Sequence, residues 1–184
     1  APLVEVFDPD RYNDNATVGE NLLFGRPVGG AFDLERLAEH SYVLEVLEKA
    51  ELTDKMLEAG RQVASTMVEL FADLPPGHEF FERYAFISHE DLPGYQALLS
   101  RLGREGVEAL RDDERTSLLS LPFRLSPAQH RLDVVDDAFK QQILAARRIF
   151  ADNLPDDLKD AVEHFDEDAY TAAASLQDNI LFGK

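Results

Sequence analysis

The sequence predicts a mainly α protein, an irregular helical bundle with at most one short two-stranded β element. Three observations lead there. Apolar residues recur at three- and four-residue spacing through most of the chain. Strand candidates reduce to Leu3–Phe7 and Val162–Phe165, which as related segments are candidates to pair with each other. Hydrophobic residues at 45% and charged residues at 29% of 184 are ordinary globular composition, enough to build a real core.

From the amino end, the chain reads as an extended segment, a polar turn and a helix. Thr17-x-x-Glu20 is a capping box: the hydroxyl satisfies an early helical N–H and the acid reaches back. Leu22, Leu23 and Phe24 supply an apolar patch, and Gly25 is the expected helix stop. Arg26–Gly30 reads as a linker. Leu34, Leu37, Leu44, Val46, Leu47 and Ala50 sit at helical spacing after Asp33, a candidate cap. Thr53 opens a second helix with Met56, Leu57, Val63, Ala64, Met67, Val68 and Phe71 on one face, and Leu74-Pro75-Pro76-Gly77 ends it. A short helix is expected through Phe80, Phe81 and Tyr84, another around Tyr95, Leu98, Leu99 and Leu102, and a third over Asp112–Leu121. The cleanest repeat is Phe139, Ile143, Ala146 and Ile149/Phe150. Asn153-Leu154-Pro155 punctuates before a last short helix from Asp156.

An internal repeat organises the chain. VEVFDPDRYNDNATVGENLLFG spans Val4 to Gly25, and VEHFDEDAYTAAASLQDNILFG spans Val162 to Gly183, at a constant offset of 158 residues. Eleven of 22 positions are identical, among them Asp8/Asp166, Asp10/Asp168, Tyr12/Tyr170, Ala16/Ala174, Asn21/Asn179, Leu23/Leu181, Phe24/Phe182 and Gly25/Gly183. Unrelated segments would share about one or two. The organisation expected is therefore 1–25 as a first motif copy, 26–161 as a helical insert body and 162–184 as a second copy, together one compact domain.

Eighteen basic against thirty-six acidic side chains give a net charge of −18. That field repels phosphate backbones and anionic lipid surfaces, which argues against a nucleic-acid or membrane-surface role. The absence of cysteine excludes a disulfide scaffold, a thiolate metal site and a cysteine nucleophile. No run approaches the roughly 18 apolar residues that cross a bilayer, and APLVEVFDPD has no signal-peptide pattern. A start without methionine, and a stop at LFGK184 just after an apolar helix-like segment, predict a piece of a longer protein.

The repeated segments ATVGENLLFG and ASLQDNILFGK resemble the stretch that follows the Q-loop in ATP-binding-cassette (ABC) transporter ATPases, commonly T/S-[VI]-x-[ED]-N-[IL]-x-F-G. The likeness covers about ten residues per copy and is closer in the second, Ser175 to Gly183. The alternative is a capped amphipathic helix duplicated without that ancestry. The resemblance implies a segment that opens the family's helical subdomain, facing the transmembrane domains. It also implies a cytoplasmic location at the inner face of the membrane through the parent transporter, with ATP and magnesium bound by the parent.

This chain itself carries no G-x-x-x-x-G-K-[ST] loop to cradle phosphates and no apolar strand ending in Asp-Glu to hold magnesium. Leu125-Ser126-Pro127-Ala128-Gln129 looks like the family signature L-S-G-G-Q. Pro127 lacks the N–H and Ala128 adds a side chain where close approach is needed, so a helix start with Ser126 as cap and Pro127 first in the helix is the better reading. His78 with Glu82, and His89-Glu90-Asp91, are thin metal candidates without the H-E-x-x-H form; a solvated face or helix cap explains them better. The segment from Asp8 fails as a calcium loop, because Asn13 stands where the turn requires glycine, and the Asp8/Asp10 and Asp166/Asp168 pairs suit turn chemistry.

No catalytic, cofactor-binding or metal role is therefore assigned to any residue. The expected function is a non-catalytic helical insert, regulatory or interacting, of an ABC transporter ATP-binding protein. Its partners would be the rest of that ATPase and the transmembrane domains. The alternatives are a stand-alone acidic helical enzyme with a His/Glu metal site and a soluble adaptor with an accidental ABC likeness.

Overall fold

In a computed structural model of the chain, residues 8–79, 81 and 87–164 are described. The first described element, α1 (Val18–Leu23), begins where the capping box predicts: Glu20 N–H donates to Thr17 Oγ1 at 3.1 Å and Thr17 N–H to Glu20 Oε2 at 2.9 Å. Phe24, not Gly25, ends it, in the left-handed region at φ 48°. Gly25 instead opens strand β1 (Gly25–Pro27), part of the stretch expected to be a linker.

Strand β1 pairs antiparallel with β2 (Val162–His164), in the register Gly25 to His164, Arg26 to Glu163 and Pro27 to Val162. The short β element thus joins the end of the first motif copy to the start of the second. The other strand candidate, Leu3–Phe7, lies outside the described residues. Glycine is required at position 25 by contact: a Cβ there would lie 2.5 Å from the Glu163 carbonyl oxygen and 2.8 Å from Val162 Cγ1.

The fold is otherwise helical. After Asp33, whose carboxylate accepts from Glu35 N–H in a local turn, comes only a single 3-10 turn at Leu37–Glu39. Asx-turn chemistry competes with helix nucleation, so the helix predicted after Asp33 starts eight residues later, as α2 (Ser41–Lys49). Then follow α3 (Thr53–Phe71), α4 (Leu92–Glu105), α5 (Asp112–Phe123), the single turn α6 (Pro127–His130) and α7 (Asp137–Asp152). The last short helix is a 3-10 helix, Asp156–Ala161.

Helix α3 lies across α5 at close range because Gly60 has no side chain; a Cβ there would stand 2.0 Å from the Leu118 carbonyl oxygen. One continuous buried cluster runs from Val18, Leu22 and Leu23 through Val63, Leu118, Phe123, Phe139 and Phe150 to Val162. The first motif copy is thus part of the core and not an appendage to it. Among the described residues, no helix is long and apolar enough to cross a membrane.

Candidate functional site

The apolar stripe of α7 follows the predicted spacing, with Phe139, Ile143, Ala146 and Phe150 all fully buried. Position 147, four residues after Ile143, belongs to the same face and carries an arginine only 5% exposed. A buried guanidinium demands partners for its five N–H donors. Here they come from the backbone of the first motif copy. Arg147 Nε donates to the Asn21 carbonyl at 2.7 Å; Nη1 donates to the carbonyls of Pro9 at 2.8 Å and Arg11 at 3.1 Å, with Asp8 at 3.4 Å; Nη2 donates to Asn21 Oδ1 at 3.0 Å.

The Phe24 ring completes the cradle, its centroid 4.6 Å from the guanidinium carbon. Among the described residues no carboxylate is hydrogen-bonded to Arg147, so the cation is held by carbonyl dipoles, the Asn21 amide oxygen and a ring face. Desolvation lowers its pKa to about 10, which leaves it charged at neutral pH.

Asn21 is equally committed. Its Nδ2 donates to the carbonyls of Asn13 and Thr17, each at 2.9 Å, and its Oδ1 accepts from Asn13 N–H at 2.9 Å as well as from Arg147. The side chain therefore closes the loop 13–21 on itself and presents that loop to the guanidinium. Around this centre, Asp10 N–H donates to Asp8 Oδ1 at 2.8 Å, the turn role expected of the Asp8/Asp10 pair. The Asp10 carboxylate pairs with Arg148 at 2.9 Å, and Asp14 pairs with Lys140 at 2.8 Å. Tyr12 packs beneath Lys140, and burial pushes its hydroxyl pKa well above the ordinary tyrosine value.

The signature-like Leu125–Gln129 serves this same seat. Pro127 is the first residue of α6, as expected, but the Ser126 hydroxyl does not cap the helix. It donates to the Asp14 carbonyl at 3.1 Å, while Ala128 N–H reaches the same carbonyl at 3.0 Å and Val18 N–H donates to the Leu125 carbonyl at 2.8 Å. The Ser126 N–H instead meets His130 Nδ1 at 2.9 Å. The segment is a clamp on the first motif copy.

The metal candidates stay apart from this centre. His89 packs edge-on to Phe81, and the Asp91 carboxylate accepts from Ser88 N–H and Oγ in the turn before α4 without capping the helix; Glu90 is exposed. His78 follows the Pro75–Gly77 turn, while Glu82 and the Asp166/Asp168 pair lie outside the described residues. Among the described residues no group of three His, Cys, Asp or Glu side chains is placed to hold a metal ion.

Sequence reasoning found the motif and missed its receptor. The available signal was an arginine in register with an otherwise apolar helical stripe. No protein-family model matches the chain, and no curated protein or solved structure matches it either.

Proposed function

We propose that the chain is a non-catalytic helical insert of an ABC transporter ATP-binding protein, at the cytoplasmic face of the membrane. On this reading the insert body holds one copy of the motif rigidly against itself. The observation that carries the proposal is the duplicated motif, Ala16–Gly25 and Ala174–Gly183, with its resemblance to the segment after the Q-loop. Its supporting observation is that Asn21 and Phe24, two of the motif's defining residues, both contact Arg147. The Asn21 amide, with both its nitrogen and its oxygen hydrogen-bonded inside the protein, has no donor left for nucleotide, which suits an anchoring role. The partners proposed are the remaining ATPase core and the transmembrane domains, and ATP and magnesium would be bound by the parent.

The test is the complete reading frame together with binding by the chain itself. The reading requires a phosphate-binding loop before Ala1 and a glycine-bearing signature with a magnesium-binding strand after Lys184. It also requires that the isolated chain retain neither Mg-ATP nor a stoichiometric divalent metal in equilibrium dialysis. A reading frame without those motifs removes the ABC assignment, and stoichiometric metal on His78 or His89 supports the enzyme instead.

A further inference from the structure

The two motif copies are alike at the residues that hold Arg147, and this raises the question of which copy the seat accepts. Four of its contacts run to backbone carbonyls, at Asp8, Pro9, Arg11 and Asn21, which any residue supplies. The side-chain contacts come from Asn21 and Phe24, matched by Asn179 and Phe182. Gly25, needed for the close strand approach, is matched by Gly183. By the chemistry of the cradle alone, either copy qualifies.

Position 19 breaks the tie. Gly19 lies on the buried side of α1, where a Cβ would come within 2.9 Å of Leu37 Cδ1, 3.0 Å of Leu34 Cδ2 and 3.2 Å of the Phe123 carbonyl oxygen. Leu37 is itself fully buried, and Phe123 O is backbone at the end of α5. The second copy carries Gln177 here. A lone Cβ is accommodated by small leucine shifts; the four further heavy atoms of glutamine, with a polar amide, have no volume and no partner in that contact.

Ten other positions differ, and those next to the seat are milder. Asp14 to Ala172 loses a half-exposed ion pair, Asn13 to Thr171 exchanges one turn-forming side chain for another, and Val18 to Leu176 adds a single methylene. Thr17 to Ser175 and Glu20 to Asp178 keep the capping chemistry, and Pro9 and Arg11 give Arg147 only backbone carbonyls.

We propose that Gly19 is the residue that selects the first motif copy for the Arg147 seat and excludes the second. The copies share a ligand chemistry but are not interchangeable, so the second copy is not a competitor for the insert's own anchor. The inference rests on the seat alone and is independent of the transporter reading.

Three full-length chains test it by amide hydrogen exchange at positions 21–23, with Val63 and Leu118 as internal references. In the first chain, residues 4–25 carry the whole sequence of residues 162–183. The second is the same exchange with Gly19 retained. The third is Gly19→Gln in the native background. The expected result is exchange within about threefold of the native chain for the second, and at least about tenfold faster for the first and third. The proposal is overturned if the first chain is as protected as the second, or if the second is as unprotected as the first. If the whole-segment exchange also exposes the reference amides, the third chain decides: native protection at positions 21–23 in Gly19→Gln overturns the proposal.

Discussion

Arg147 holds both ends of Asn21: its Nε donates to the Asn21 backbone carbonyl at 2.7 Å and its Nη2 to the Asn21 side-chain oxygen at 3.0 Å. The two residues are 126 positions apart, on α7 and α1, and both are buried. A planar fork satisfies two acceptors of one residue at once, a geometry that lysine's point charge does not reproduce. The relationship ties the amino-terminal motif to the cleanest amphipathic helix of the body.

Arg147→Met removes the donors and leaves the buried Asn21 carbonyl without its partner, along with the part-buried carbonyls of Pro9 and Arg11. The expected cost is about 3 kcal/mol in urea-induced unfolding, with Arg147→Lys recovering less than about half of it. Loss confined to a few tenths of a kcal/mol would mean that the cradle is decorative.

Gly60→Ala places a methyl group 2.0 Å from the Leu118 carbonyl oxygen, where backbone and not a flexible side-chain tip must yield. The α3–α5 crossing has to open, at an expected cost of about 2–3 kcal/mol, read as a fall in Tm of roughly 5–10 °C. Gly94→Ala, at an exposed position of α4 with nothing within 4 Å of the added carbon, is the control and leaves Tm unchanged or higher.

Thr17→Ala removes the acceptor for Glu20 N–H and half of the capping box. A destabilisation of about 1 kcal/mol is expected, with Thr17→Ser nearly neutral because the hydroxyl is retained. Chemical denaturation of the three chains side by side checks the order.

Burial lowers the pKa of His40 and of His130, against an ordinary value of 6.5. For a cationic group the sign is fixed: the unfolded chain binds the proton more readily, so stability is greatest where both forms are neutral. It falls as the pH drops past 6.5 and levels off below the folded-state values. Unfolding free energies measured from pH 7.5 to 5 should show that decline, and His40→Gln should flatten it. A pH-independent profile through this window would contradict the burial effect.

Much of the fold is legible locally. The capping box at Thr17, the face of α3, the extent of α5 and the stripe of α7 are all properties of residues within a few turns of one another. What misled is equally specific. Gly25 looks like a helix stop, because glycine commonly ends helices, yet Phe24 takes the left-handed turn and Gly25 serves a strand partner 139 positions away. Ser126 looks like a cap, yet its hydroxyl goes to Asp14. In both cases the residue's choice between two ordinary roles depends on a neighbour that no local window contains.

By itself the sequence determined the mainly helical class, the helix starts set by side chains within one turn, and the existence of a duplicated motif. These follow from periodicity and from short-range hydrogen bonding, which involve no distant partner. The tertiary structure alone decided that Arg147 is the receptor for the first copy, that β1 pairs with β2, and that Gly19 and Gly60 mark surfaces with no room for a side chain. Each of these is a steric or electrostatic match between segments far apart in the chain, and only packing in three dimensions creates the low-dielectric, crowded setting in which such a match matters.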